Sequence, residues 1–253
     1  ISSSVYLIND IIDAESDKYH PLKKFRPIAS GSLNKSYAFF LAFFLAILSF
    51  FISKSIHILF FGIIAVYLLI QIAYSLKLKN QPLLDIQCIA SGFLLRAISG
   101  GIAVGLALSP WFLITVWLIS LFLAIEKRKA ELIIIDDKKF ISRKVLSKYS
   151  LSLLTKIETL VSTSAFITYS LWSAGPLLNG AKTSWMLTTI PFVLTGIFRY
   201  QLVSDQVNSK IYFNEKIKKS PERPEKLIFN DKGIRYIILF WFIIVVIIGL
   251  FSK

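Results

Sequence analysis

The chain has 253 residues, 55% of them hydrophobic, with a formal net charge of +14 and a mean hydropathy of +0.65. That composition, with repeated apolar runs of about 20 residues, the length needed to cross ~30 Å of hydrocarbon, excludes a soluble enzyme and puts the chain in the membrane class. One cysteine, Cys88, excludes a disulfide framework and a cysteine-based metal centre, and two histidines leave little for a histidine-rich one, so any metal must be held mainly by carboxylates.

Residues 1–8, ISSSVYLI, read as the end of a span that is too short to cross alone. The opening Ile in place of Met raises the expectation that an N-terminal piece is missing; no cleavable signal peptide is visible. The next nine residues, NDIIDAESD, carry four acidic side chains. If they continue a helix, Asp10, Asp13 and Asp17 fall within an arc of about 60°, with Asn9 at its edge and Glu15 on the far side. Such a stripe is costly unless a cation sits on it, and oxygen-only ligands suit Mg²⁺, which is usually bound through a few carboxylates together with substrate phosphates. The alternative is a solvated helix end paired with Lys18, Lys23 and Lys24. Arg26 follows in the turn FRPIASG, in reach either of a bound diphosphate or of lipid head groups, and His20 sits in the loop before Pro21 as a solvated residue.

Apolar helices are expected at 37–53, 56–76, 84–106, 111–126, 151–173, 185–203 and 234–251, which makes seven complete crossings. Lys and Arg divide unevenly between their connections: segments 9–36, 77–82, 126–150 and 199–235 hold 24 of the 29. By the positive-inside rule these alternate connections face the cytoplasm. The charge is thus a property of one face, which anionic lipid explains in large part. Nucleic acid is excluded as a partner, because no soluble domain or aromatic-basic platform exists to carry it.

Along that face, Tyr74 and Lys77 are read as an i,i+3 pair at a helix end that faces phosphates, although Lys77 could instead snorkel. Arg96 lies well inside a span, so it must face a cavity or a carboxylate such as Asp85, in a functional or a structural pair. Gly92, Gly100 and Gly101 allow close helix packing. Lys127, Arg128 and Glu131 stand one turn apart and form a candidate grip on a phosphate. Arg199, with Tyr200 and Asp205 beyond it, ends a further span on the same side as a candidate substrate contact. Residues 136–149 are read as a mobile flap and 206–233 as a polar loop. His57 belongs to the opposite side of the membrane, and Cys88 is a small core residue.

The spacing Asn9-Asp10-x-x-Asp13-x-x-x-Asp17, followed by Arg26-Pro27-Ile28-x-x-Gly31, resembles the first Asp-rich motif and the following turn of the UbiA-type prenyltransferase superfamily. The resemblance implies an all-α integral membrane bundle of about nine helices in the intact protein, with residues 1–253 forming one transmembrane catalytic domain that lacks its N-terminal part. It also implies a Mg²⁺-diphosphate site at the cytoplasmic mouth of the bundle. Conventional members carry a second Asp-rich motif where this chain reads Glu126-Lys127-Arg128-Lys129-Ala130-Glu131-Leu132. That pattern, with YSLKLKNQPLLD at 74–85 and SGFLLRAISGG at 91–101, is similar to the decaprenyl-phosphate phosphoribosyltransferase branch.

What the branch implies is transfer of 5-phosphoribose from phosphoribosyl diphosphate (PRPP) to a polyprenyl phosphate in the cell membrane, with Mg²⁺ on Asp10, Asp13 and Asp17 and with substrate contacts from Asn9, Arg26, Tyr74, Lys77, Arg96, Lys127, Arg128, Glu131 and Arg199. In actinobacterial relatives the lipid product feeds the cell wall. A homo-oligomer is compatible with the sequence. A conventional prenyltransferase is the competing enzyme reading; Lys127 and Glu131 in place of a second Asp stripe argue against it. A phosphate or ion transporter is the competing reading of another class, and the apolar middles of most spans argue against that.

Overall fold

A computed structural model describes residues 1–19, 23–138, 144–208 and 224–251. Among these residues the structure is all-helical: α1 Ser2–Asp17, α2 Lys35–Ile56, α3 Ile58–Leu76, α4 Leu84–Ala103, α5 Pro110–Lys138, α6 Leu151–Ser173, α7 Ile190–Asn208, α8 Pro224–Asn230 and α9 Lys232–Phe251, joined in places by short 3₁₀ turns. Backbone groups without water to bond must be satisfied within each segment, which is why such an apolar chain becomes a set of helices.

Six of these helices are long and apolar enough to cross a bilayer: α2, α3, α4, α5 through Ile133, α7 with the 3₁₀ turn before it, and α9. The seventh expected span, 151–173, forms α6 with its 23 residues, but Lys156, Glu158 and a run of Ser and Thr take it below that level of apolarity. Its hydroxyls are largely satisfied inside the helix. Thr155 donates to the Leu151 carbonyl, Thr159 to that of Thr155, Ser170 to that of Phe166 and Ser173 to that of Tyr169. A helix whose polar side chains bond its own backbone exposes few unmet groups to lipid.

The chain divides into two compact units. The first comprises Ile1–Ala107 with Ile141–Lys148. In it α1 packs on α2 and α3, and α3 packs on α4. The α1–α2 contact is made by small residues: Ala14, Ala38 and Ala42 are buried, and Ser4 Oγ donates to the Ala42 carbonyl at 2.7 Å. Lipid supplies no hydrophobic force between helices, so close packing and interhelical hydrogen bonds must hold them. Gly92 does the same for α3 and α4, since a Cβ there would lie 2.8 Å from Gln71 Nε2 and 3.6 Å from the Tyr67 ring. The equivalent expectation fails for Gly100, whose surroundings are open. The short turn Lys144–Lys148 and Tyr149 after it lie in the stretch expected to be a flap, yet Val145, Leu146 and Tyr149 are buried. Residues 139–143 of that stretch, His20 and residues 209–223 lie outside the described residues.

The second unit comprises Leu108–Phe140 and Tyr149–Lys253. Here α5 and α6 form the most extensive helix pair, and α7 and α9 pack together. At one end Ser109 Oγ and Trp111 Nε1 donate to the carbonyls of Asn179 and Leu178, at 2.6 and 2.8 Å, fastening the start of α5 to the α6–α7 connection. At the other end the C-terminal part of α5 meets the start of α6 through Lys129 and Glu158, and the end of α7 through Glu126 and Ser204. So α6 runs between the same two ends as α5 and α7, although it is not among the six helices apolar enough to count as spans by themselves. Gly175, at φ +84, and Asn179, at φ +52, turn the chain tightly after α6; a side chain at neighbouring Gly180 would collide with the Trp172 carbonyl.

Candidate active site

The acidic stretch does continue α1, so Asn9, Asp10, Asp13 and Asp17 share one face of it. Three elements of the first unit bring partners to that face. The turn after α1 carries a 3₁₀ segment, Lys23–Phe25, then closes through Ser30 N to the Arg26 carbonyl at 2.8 Å and Leu33 N to the Pro27 carbonyl at 2.9 Å. Gly31 takes φ +83 in it, a left-handed conformation that a side chain would strain. Ile28 of this turn is buried beside Ala14 and Ala38, which anchors the turn against α1. Arg26 is thereby returned to the stripe, where its Nη1 donates to Asp10 Oδ1 at 2.7 Å and to Asp17 Oδ2 at 2.9 Å.

From α3, Ser75 Oγ donates to Asn9 Oδ1 at 3.3 Å, and Asn9 Nδ2 donates to Asp13 Oδ2 at 3.3 Å. Beyond α3 the 3₁₀ turn Leu78–Asn80 directs Lys79 onto Asp13 Oδ1. Lys77, expected beside Tyr74 at this helix end, directly follows Leu76, the last residue of α3, as an exposed cap residue with φ −135. Tyr74 is half-buried near the same helix end. Glu15 falls on the far side as expected; it is fully exposed, pairs with Lys18 at 2.9 Å and Lys35 at 2.8 Å, and those two cations hold its carboxyl down at about 2.

Three cations, Arg26, Lys79 and Lys23, act on the three acids of this face. Burial pushes the Asp10 carboxyl above the ordinary range, Arg26 opposes that, and the neighbouring Asp17 and Asp13 charges add to it. Among the described residues no group of three or more His, Cys, Asp or Glu side chains is gathered tightly enough to form a metal cage by itself. The donor set nevertheless suits Mg²⁺: hard carboxylate and amide oxygens, on side chains that would share the ion with substrate phosphate oxygens rather than enclose it.

Deeper along the same unit, Arg96 of α4 does not meet Asp85, which lies eleven residues nearer the start of the helix. Its Nη2 donates to Tyr67 Oη of α3 at 2.8 Å, and the guanidinium stands 5.4 Å and 5.1 Å from the ring centres of Tyr67 and Phe93. Tyr6 of α1 reaches it as well.

In the second unit the Lys127 to Glu131 segment lies on α5 and is mostly buried. Arg128 is fully buried and paired with Glu131; Lys127 is only partly buried. Lys129, which the sequence reading passes over, holds the second cationic position. It bonds Glu158 of α6 and lies 3.0 Å from Glu126, while Gln201 of α7 donates to Glu158 at 2.9 Å and Ser204 to Glu126. Buried charges persist only when paired in this way. Arg199 grips Asp231, with Nε at 3.1 Å and Nη2 at 2.9 Å, and Asp231 Oδ1 also accepts the Ile234 amide at 2.8 Å at the start of α9. Arg199 is thus tied to α9 through Asp231, 32 residues along the chain.

Comparison with known proteins gives this helical membrane chain a family. The UbiA prenyltransferase family model matches residues 1–213, and the chain belongs to that family as a multi-pass, all-α integral membrane protein. It is 38% identical over 248 residues to a decaprenyl-phosphate phosphoribosyltransferase of Mycolicibacterium smegmatis, covering 95% of this chain and 74% of the relative. Proteins of the same description from Corynebacterium glutamicum and Mycobacterium tuberculosis are 32% and 35% identical, covering 95% and 81% of this chain and 70% and 67% of theirs.

Proposed function

We propose that this chain transfers 5-phosphoribose from PRPP to a polyprenyl phosphate of the decaprenyl type, releasing diphosphate, with Mg²⁺ and at the cytoplasmic face of the cell membrane. The observation that carries the reading is the α1 face, where two cations from different elements, Arg26 and Lys79, interleave with Asp10, Asp13 and Asp17. The relatives' names, which give a phosphoribosyl group and a decaprenyl phosphate, support the substrate classes, and the 24 basic residues of the alternate connections support the cytoplasmic orientation.

In the reaction the C1–O bond to diphosphate breaks, the electron pair leaves with the diphosphate, and a phosphate oxygen of the lipid forms the new C1–O bond from the opposite side. The lipid phosphate has a second pKa of about 6 and is already anionic near pH 7, so no side chain need remove a proton from it. Asp10, Asp13 and Asp17 would hold the ion, with Asn9 fixing Asp13. Bound Mg²⁺ supplies charge neutralisation to the leaving diphosphate. Arg26 and Lys79 exchange their carboxylate partners for phosphate oxygens when substrate arrives, and a positioned cation aimed at developing charge is the largest kind of electrostatic assistance.

The test uses the full chain in detergent with polyprenyl phosphate, labelled PRPP and Mg²⁺, against EDTA and Asp13→Ala controls. A labelled lipid absent from both controls is expected. No labelled lipid, with turnover of an isoprenoid diphosphate and an aromatic acceptor, would overturn the reading in favour of a conventional prenyltransferase.

A further inference from the structure

Arg96 is an exposed guanidinium inside a membrane span, about 18 Å along α4 from Leu84 at 1.5 Å per residue. Among the described residues no carboxylate lies within ion-pair distance of it; it donates to the Tyr67 hydroxyl and stands over the faces of Tyr67 and Phe93, with the Tyr6 hydroxyl in its neighbourhood. An intramembrane cation held by neutral groups alone is costly, and such a residue in a span marks a functional position by default.

Its place along α1 says what it serves. At 100° per residue Tyr6 lies in the middle of the arc defined by Asp10, Asp13 and Asp17, one turn further from the helix end, about 6 Å along the axis from Asp10. Tyr6 is 62% exposed, and its hydroxyl is near enough to Arg96 to interact with the guanidinium electrostatically. One polar face of the first unit therefore runs from Asp17 through Asp13, Asp10 and Tyr6 to Arg96. Its outer part is acidic, and its inner end is a cation with two hydroxyls. Tyr67 is held in turn, because the ring is buried and Ser2 Oγ lies 3.4 Å from its hydroxyl.

We infer that Arg96, Tyr67 and Tyr6 form a second anion subsite, built for a phosphate monoester, at the inner end of the face that carries the aspartate stripe. A planar guanidinium flanked by hydroxyl donors matches a terminal phosphate, which offers three oxygens. The inference rests on the proposed function, in which two phosphate monoesters occur: the 5-phosphate of PRPP and the phosphate of the lipid acceptor. Both present the same chemistry to Arg96.

The experiment compares the wild-type chain, Arg96→Gln and Tyr67→Phe in detergent, each checked for folding by thermal unfolding. Titration with inorganic phosphate in the absence of Mg²⁺ is expected to give binding that weakens about 10- to 100-fold in Arg96→Gln, the loss of a charge-assisted contact. In turnover the same variant is expected to raise KM by a similar factor for one substrate. A rise for PRPP, with loss of discrimination against ribose 1-diphosphate, assigns the subsite to the sugar phosphate; a rise for polyprenyl phosphate assigns it to the lipid. Folded Arg96→Gln with phosphate binding and both KM values within twofold of wild type would overturn the subsite. Should Arg96→Gln fail to fold, Tyr67→Phe decides, with a several-fold weakening expected and an unchanged affinity overturning the inference. If the wild type makes no phosphoribosyl lipid yet binds phosphate in an Arg96-dependent way, the subsite stands and the proposed function falls.

Discussion

Removing Arg26 is expected to change two affinities in opposite directions. Its Nη1 lies 2.7 Å from Asp10 Oδ1 and 2.9 Å from Asp17 Oδ2, so the two oxygens are at most about 5.6 Å apart. At an effective dielectric of about 20 their mutual repulsion is about 3 kcal/mol. Arg26 offsets part of this as a tethered cation, and as such it competes with a divalent ion for the same oxygens. The Arg26 side chain is 36% exposed, so solvent screening reduces its worth to roughly half of that figure, about 1.5 kcal/mol. In Arg26→Ala the substrate-free protein is therefore expected to bind Mn²⁺, read by electron paramagnetic resonance, about tenfold more tightly. The KM for PRPP is expected to rise by about tenfold or more, because the phosphate loses its grip. Weaker Mn²⁺ binding in the variant would refute the competition argument and make Arg26 a support of the metal site.

Lys79→Met should behave similarly at Asp13, with a KM for PRPP about tenfold higher, whereas Lys77→Met should leave it nearly unchanged; steady-state kinetics with the labelled donor separates the two. Asp10→Asn should abolish lipid labelling without lowering the unfolding temperature at pH 7 in EDTA. The raised carboxyl means that the folded state binds the proton more tightly than the unfolded chain, so the stability this group provides is fully present below its unfolded pKa and is lost as pH rises through the folded one. A clear drop in unfolding temperature would count against that sign. Arg199→Ala removes two charge-assisted hydrogen bonds from buried Asp231, and with Arg199 39% exposed the cost is about 1–2 kcal/mol, a fall of a few degrees in Tm. Both KM values should stay put; a rise in either would return Arg199 to the substrate site.

The aspartate stripe was legible because it depends only on helical periodicity within one segment, and α1 is unbroken from Ser2 to Asp17. Lys79 was not, since its position depends on where α3 stops and how a three-residue 3₁₀ turn redirects the chain. Glu158 sits in a segment that reads simply as an apolar span, and nothing local reveals that Lys129 of α5 comes opposite it. Arg199 posed the same difficulty: its partner Asp231 lies 32 residues along the chain and returns with α9. Six of the seven expected spans follow from hydropathy; the seventh, 151–173, forms a helix but is too rich in polar side chains to qualify as a span by apolarity.

That hydroxyl-rich helix has a consequence for how the protein is made. A segment carrying Lys156, Glu158 and so many Ser and Thr residues is a poor candidate to partition into lipid unaided. Its neighbour α5 is apolar over Pro110–Ile133 and offers it Lys129 for Glu158 and Thr115 for Thr168, the last at 3.0 Å. Contacts with α5 therefore offset part of the cost of placing α6 in the membrane. Substitutions that weaken their contact would then appear first as lost protein in the membrane, ahead of any change in turnover by the molecules that do insert.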